Sequence, residues 1–300
     1  MKVLELKPQI ALKNILFATD FEVSASRALP FAAALADRYG AKLYAAHVIP
    51  PMAYAFASAV SVGRVLKEVE DFAGYTLNQI ISALRSRGLR CDPLLGEGKV
   101  ADVLERWAQT YSADLVVLGT VSRAGWGKVA LGSIAEEVIR ESSCPVLTIG
   151  PHVTTLASAG VHSIVCATDF SPPSVRAIEF AVSLAHEFKA HITLAHIMEG
   201  EFNDSTRQAI RLAENRLRQM IPSEPELLYR PELVVEIGAV SERLVNLAAD
   251  LSADFIVMGV RGVGTLAPMA SHFGSTAHRV VALAPCPVVT VGERPIAEHH

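Results

Sequence analysis

The 300-residue chain is poor in charge, with only 19% charged residues and no useful excess of either sign: 27 Lys plus Arg stand against 31 Asp plus Glu, a net of −4. With 51% hydrophobic residues, that composition excludes an intrinsically disordered chain. The missing basic excess removes the electrostatic footprint for nucleic acid or for an anionic membrane surface, so neither is an expected partner. Cysteine is scarce as well. Cys91, Cys144, Cys166 and Cys286 lie far apart without a Cys-x-x-Cys pair, which predicts reduced thiols rather than a disulfide framework. The opening MKVLELKPQI carries Glu5, Lys7 and Pro8 where a signal peptide needs an unbroken apolar stretch, so the expected location is the cytoplasm. One uncharged run, residues 43–63, has transmembrane length, but Pro50-Pro51 breaks its helix and His47 would sit in lipid. A strand followed by a loop is the expectation there. Neither His-Glu-x-x-His nor Gly-x-Ser-x-Gly occurs, and no nucleophile, base and orienter set is visible. Gly127-Lys128 fails as a P-loop, with Ser122 in place of its first glycine and Val129 in place of its Ser or Thr.

What the chain does have is internal repetition. Residues 15–49 align without a gap on residues 164–198, with 14 of 35 positions identical. Residues 98–119 match 238–259 at nine of 22 positions, and CPVLTIG ending at Gly150 matches CPVVTVG ending at Gly292. The offset between copies runs 149, 140, 142, so the first copy holds nine extra residues around PPMAYAFASAV and the second holds two extra before Gly274. Met52, Tyr54 and Phe56 in that insertion either cover a neighbour's pocket or pack on their own domain. The expected domains are 1–150 and 161–300, joined by a short uncharged linker, PHVTTLASAG at 151–160.

Within each copy, short apolar runs such as ILFAT and LVVLG alternate with helix-length amphipathic stretches. VADVLERWAQTYS places Val100, Val103, Leu104, Trp107 and Ala108 on one face. Strands alternating with helices predict an α/β fold, here two tandem doubly wound five-stranded parallel-sheet domains of Rossmann-like type, with ligands beyond the carboxyl ends of the strands. Asp20 and Asp169 follow the first strand of each copy, where they either reach a ligand or cap the next turn. His47 and His196 end the second strands and read as packed or backbone-bonded imidazoles rather than metal ligands. After the fourth strand, GTVSRAGWGKVALGSIAEEV is a glycine-rich loop entering a helix near Gly132-Ser133. It is either a phosphate cradle or an ordinary loop with a serine cap. Gly96-x-Gly98 resembles part of a dinucleotide fingerprint, but only Gly98 recurs, as Gly238, which marks it as a turn glycine.

An Asp after the first strand, His-Val or His-Ile after the second, Gly-x-x-Gly-x9-Gly-Ser/Thr after the fourth and the duplicated CPV-x-T-x-Gly strand together resemble the universal stress protein family, in a tandem form. The resemblance implies a stress-response protein that binds an adenine nucleotide, ATP or a related one, with or without Mg, as a nucleotide-dependent regulatory or interaction protein. It implies Ala18, Asp20 and Val48 near the base or sugar, and Leu118, Gly119, Ser122, Gly132, Ser133 and Ile134 as the ribose and phosphate wall. The matching second-copy positions are Asp169, Ile197, Met258, Gly259, Gly262, Gly274 and Ser275. Both copies depart from the motif: Ser122 replaces a glycine, whereas eleven residues containing Pro268 separate Gly262 from Gly274. The longer excursion is the worse lesion for a cradle, so the first domain is the expected nucleotide site and the second the structural one. Charge agrees, since residues 1–150 carry 16 basic and 15 acidic residues and residues 151–300 carry 11 and 16. Family likeness further implies pairing of the two domains through their last strands, a homodimer, and protein partners that the sequence does not name. The alternatives are a nucleotide-free interaction module with vestigial pockets, and a weak ATPase or self-phosphorylating enzyme.

Overall fold

A computed structural model describes residues 11–51, 62–120, 123–125, 128–153, 160–201, 203–221, 230–260 and 275–292. These form two compact units. Among the described residues, one comprises 11–120 and 132–149, and the other comprises 150–292 together with the described part of 121–131.

The first unit is built from β1 (Asn14–Ala18), α1 (Val23–Tyr39), β2 (Lys42–Ile49), α2 (Val62–Ser86), β3 (Cys91–Glu97), α3 (Val100–Thr110), β4 (Leu115–Gly119), α4 (Ser133–Glu141) and β7 (Val146–Ile149). Its strands run parallel in the order β3-β2-β1-β4-β7, so the strand order reverses beside β1. The predicted strand over the first part of residues 43–63 is β2, and no helix among the described residues is long and apolar enough to cross a membrane. Met52, Tyr54 and Phe56 lie outside the described residues. β1, β2 and β4 are buried along nearly their whole length, as expected of strands covered by helices on both faces.

Strand register fixes which side of the sheet each helix covers. Gly96 faces α3, because a Cβ there would lie 2.8 Å from the Trp107 ring. Leu94, two residues earlier, shares that face, and the pairs Leu94–Ala46, Ala46–Ala18 and Ala18–Leu118 carry it across to β4. Leu118 therefore points to the α3 side and Gly119 to the opposite side, where it meets Ser24 of α1. Helix α4 joins α3: Lys99 at the α3 N-terminus pairs with Glu137 of α4 at 2.5 Å, and the Ser143 N–H donates to Glu105 Oε2 at 2.8 Å. The apolar face anticipated for α3 is the one it buries, through Val103, Leu104 and Ala108, with Ala101 added.

The second unit repeats the plan with β8 (Ser163–Ala167), α5 (Pro172–Phe188), β9 (His191–Met198), α6 (Asp204–Met220), β10 (Glu232–Ile237), α7 (Val240–Asp250), β11 (Phe255–Gly259), α8 (Ser275–Leu283) and β12 (Val288–Val291), in the parallel order β10-β9-β8-β11-β12. It also holds an antiparallel hairpin of β5 (Arg123–Gly125) and β6 (Lys128–Ala130), drawn from the glycine-rich loop of the first sequence copy. The hairpin's exit is tied to α8, where the Leu131 N–H donates to His278 Nε2 at 2.7 Å.

Candidate functional site

At the carboxyl end of β1 the chain turns within three residues. The Thr19 N–H donates to the Ala46 carbonyl at 2.9 Å, Thr19 Oγ1 accepts the Phe21 N–H at 3.0 Å, and Asp20 Oδ1 accepts the Glu22 N–H at 3.0 Å. Phe21 adopts φ 66, in the left-handed region. The second copy reproduces every step: Thr168 N–H to Ala195 O at 2.9 Å, Phe170 N–H to Thr168 Oγ1 at 3.0 Å, Ser171 N–H to Asp169 Oδ1 at 2.9 Å, and Phe170 at φ 63. Asp20 and Asp169 thus hold the turn into the first helix, as the capping alternative anticipated, while both side chains stay exposed.

The histidines are backbone-bonded. His47 Nδ1 donates to the Thr19 carbonyl at 2.8 Å and His196 Nδ1 to the Thr168 carbonyl at 2.8 Å. The Phe21 ring stacks on His47 with centroids 4.2 Å apart, and Phe170 covers His196 at 4.4 Å. Beyond this pair the copies diverge: the edge of Phe72 meets Phe21, whereas the Arg216 guanidinium lies 4.3 Å from the Phe170 centroid.

Gly119 and Gly259 end β4 and β11, and packing alone requires both. A Cβ at Gly119 would stand 1.9 Å from the Ser24 carbonyl oxygen, and one at Gly259 would stand 2.4 Å from the Ser174 nitrogen. Among the other anticipated ligand positions, Val48, Leu118, Ile197 and Met258 are buried and Ala18 is half-buried at its strand end. Gly98 and Gly238 have φ 131 and 146, the turn role expected of them. Gly132 is the N-cap of α4, with φ −61 and ψ 138 and no side-chain cap on the helix. A Cβ there would meet none of the described residues within 4 Å. Ser133 opens the helix and is exposed, as is Ile134 at 52%. Ser122, Gly262 and Gly274 lie outside the described residues, as does the side chain of Ser275, whose backbone opens α8.

Three features escaped sequence reasoning. Asp114 Oδ2 accepts the N–H groups of Lys13 and Asn14 at 2.6 and 2.8 Å, and Asp254 Oδ2 accepts those of His162 and Ser163 at 2.6 and 3.0 Å. The identical Ser-Ala-Asp at 112–114 and 252–254 was the available signal. His278 as an acceptor for the glycine-rich loop had none. Thr120, directly after Gly119, is buried, yet its hydroxyl has no hydrogen-bond partner among the described residues.

The universal stress protein family model matches residues 11–150 and again 160–292. The chain belongs to the universal stress protein family. As a tandem member it matches shorter relatives with under half its length: a universal stress protein of Methanocaldococcus jannaschii is 28% identical over 46% of this chain and 81% of its own, and one of Thermus aquaticus is 31% identical over 46% of this chain and 98% of its own. A solved universal stress protein from Archaeoglobus fulgidus superposes with a TM-score of 0.72 over 93% of this chain and 98% of its own at 19% identity, which establishes the shared fold. In this universal stress protein all four cysteines are free and buried, and burial pushes the Cys144 and Cys286 thiols up to about 12, which disfavours the thiolate form. Among the described residues no His, Cys, Asp and Glu cluster could hold a metal ion.

Proposed function

We propose that the first domain binds an adenine nucleotide, ATP or a related one, at the carboxyl ends of β1, β2 and β4, and that the chain acts in the cytoplasm as a nucleotide-dependent regulatory or interaction protein of the stress response. The observation that carries this is the start of α4. Its first N–H groups have no side-chain cap, and a Cβ on Gly132 beside them would meet none of the described residues within 4 Å, which favours a phosphate at these donors and this positive helix end. Asp20 and Ala18 supply the polar and apolar edge at β1, with Val48 behind. Any Mg would travel with the phosphates. The second domain serves as a structural partner, and β7 and β12, each last in the strand order of its own unit, are the strands suited to domain pairing and to a homodimer.

A nucleotide-free interaction module is the second reading, favoured by a specific observation: Asp20, His47 and Gly119 all have internal roles that need no ligand. Calorimetric titration of the full chain with ATP, with and without Mg, separates the two. Wild type should bind, and Gly132→Val should lose binding while keeping its fold, since φ −61 suits valine and its Cβ would meet none of the described residues within 4 Å. Asp20→Ala should weaken binding. No binding by wild type, or binding untouched by both substitutions, rejects the nucleotide reading in favour of the module.

A further inference from the structure

We propose that the Thr120 hydroxyl is a ligand-positioning group that hydrogen-bonds the ribose-phosphate part of the nucleotide in the first domain, and that Val260 denies the same contact to the second. This inference rests on the nucleotide reading of the first domain.

Thr120 extends β4 by one residue: its N–H donates to the Ile149 carbonyl at 2.9 Å, continuing the β4–β7 ladder. Because Gly119 faces α1, alternation along the strand sends the Thr120 side chain to the opposite side with Leu118, the side of α3 and α4. It therefore stands at the carboxyl end of the sheet on the side where α4 presents its uncapped N-terminus. The residue is 4% exposed and its Oγ1 has no partner among the described residues. A buried hydroxyl without a hydrogen bond destabilises the chain that carries it, so a structural reason for keeping one is wanting. Elsewhere the fold meets this need: in the second unit Thr168 Oγ1 and Ser174 Oγ lie 3.0 Å apart, and Ser174 Oγ also reaches the Ser171 carbonyl at 2.9 Å.

The second copy is a control within the same chain. Val260 stands where Thr120 does, donates the equivalent backbone bond to Val291 at 2.9 Å, and is 5% exposed. The strand end thus accepts an apolar side chain of the same shape, and the fold does not need the hydroxyl. What the hydroxyl adds is one donor and two acceptor positions. A ribose hydroxyl or phosphate oxygen uses them, and in the ligand-free chain they stay unused.

A structural role and a ligand role predict opposite outcomes for Thr120→Val. As a ligand group, its loss should weaken ATP binding about tenfold by titration, while the ligand-free protein melts about 3 °C higher because an orphaned polar atom is gone. Thr120→Ser, which keeps the hydroxyl, should stay near wild type in ATP affinity. Binding of ATP by Thr120→Val equal to wild type, or a lower melting temperature for the ligand-free variant, overturns the inference while leaving the nucleotide reading standing. Wild type that binds no ATP overturns both.

Discussion

The two halves share a backbone plan and differ in what they place at the end of the fourth strand and at the end of the first helix. Both use a Thr-Asp-Phe turn, a histidine on the threonine carbonyl, and a glycine pressed against the first helix. These duplicated features close the turn from the first strand into the first helix in each half. The features that differ, Thr120 against Val260 and Gly40 against Lys189, lie where the fold tolerates alternatives. The shared residues of the first turn serve construction in both halves, and Thr120 against Val260 is the difference that bears on the site.

The strongest way to break that comparison is at the shared glycines. Gly119→Ala and Gly259→Ala should each cost about 3 kcal/mol, because the new methyl group meets backbone atoms that cannot yield. Denaturant unfolding of the full chain should show the loss in one half at a time. Tolerance of either substitution would mean that the first helix does not lie against its strand end as described.

A smaller effect separates the halves at the helix ends. Gly40 closes α1 at φ 60 and Lys189 closes α5 at φ 54, so the second half holds a side chain in the left-handed region where the first does not. Lys189→Gly should stabilise by about 1 kcal/mol and Gly40→Lys should destabilise by a similar amount. Equal melting of all three proteins would remove this distinction.

The smallest effect is electrostatic. Lys42 Nζ lies 2.6 Å from Asp92 Oδ2, and Arg85 Nη2 lies 2.9 Å from Oδ1; the Lys42 contact, with Arg85 adding to it, holds the Asp92 carboxyl below its ordinary value. A carboxyl depressed in the folded state stabilises above its unfolded value of about 4 and loses that contribution as pH falls through the folded value. The first half should therefore lose a little stability below pH about 4, and Asp92→Asn should flatten that part of its acid limb. The second half has His191 where Lys42 stands, so its acid limb should be unchanged by the substitution. An acid limb identical in Asp92→Asn and wild type would show the pair to be too solvent-screened to matter.

Much of the fold was readable because it is periodic. The gapless match of residues 15–49 on 164–198, the buried strands and the α3 face follow from patterns that hydrophobic burial imposes along the chain. The candidate site was readable only in outline. The Gly119-x2-Ser122-x9-Gly132 spacing placed the α4 start near Gly132, whereas the packing of Gly119 against Ser24 was not legible, because that approach depends on where α1 crosses the sheet.

By itself the sequence determined the duplication, the parallel α/β class, the family and the direction of each strand's active end, since local pattern and spacing encode all of these. Only the tertiary structure decided that Asp20 and Asp169 hold turns, that Asp114 and Asp254 bind the entries of β1 and β8, and that the Thr120 hydroxyl is buried without a partner among the described residues. Those facts join residues as far as about a hundred positions apart or concern an empty hydrogen-bonding position, and neither leaves a periodic trace in the chain.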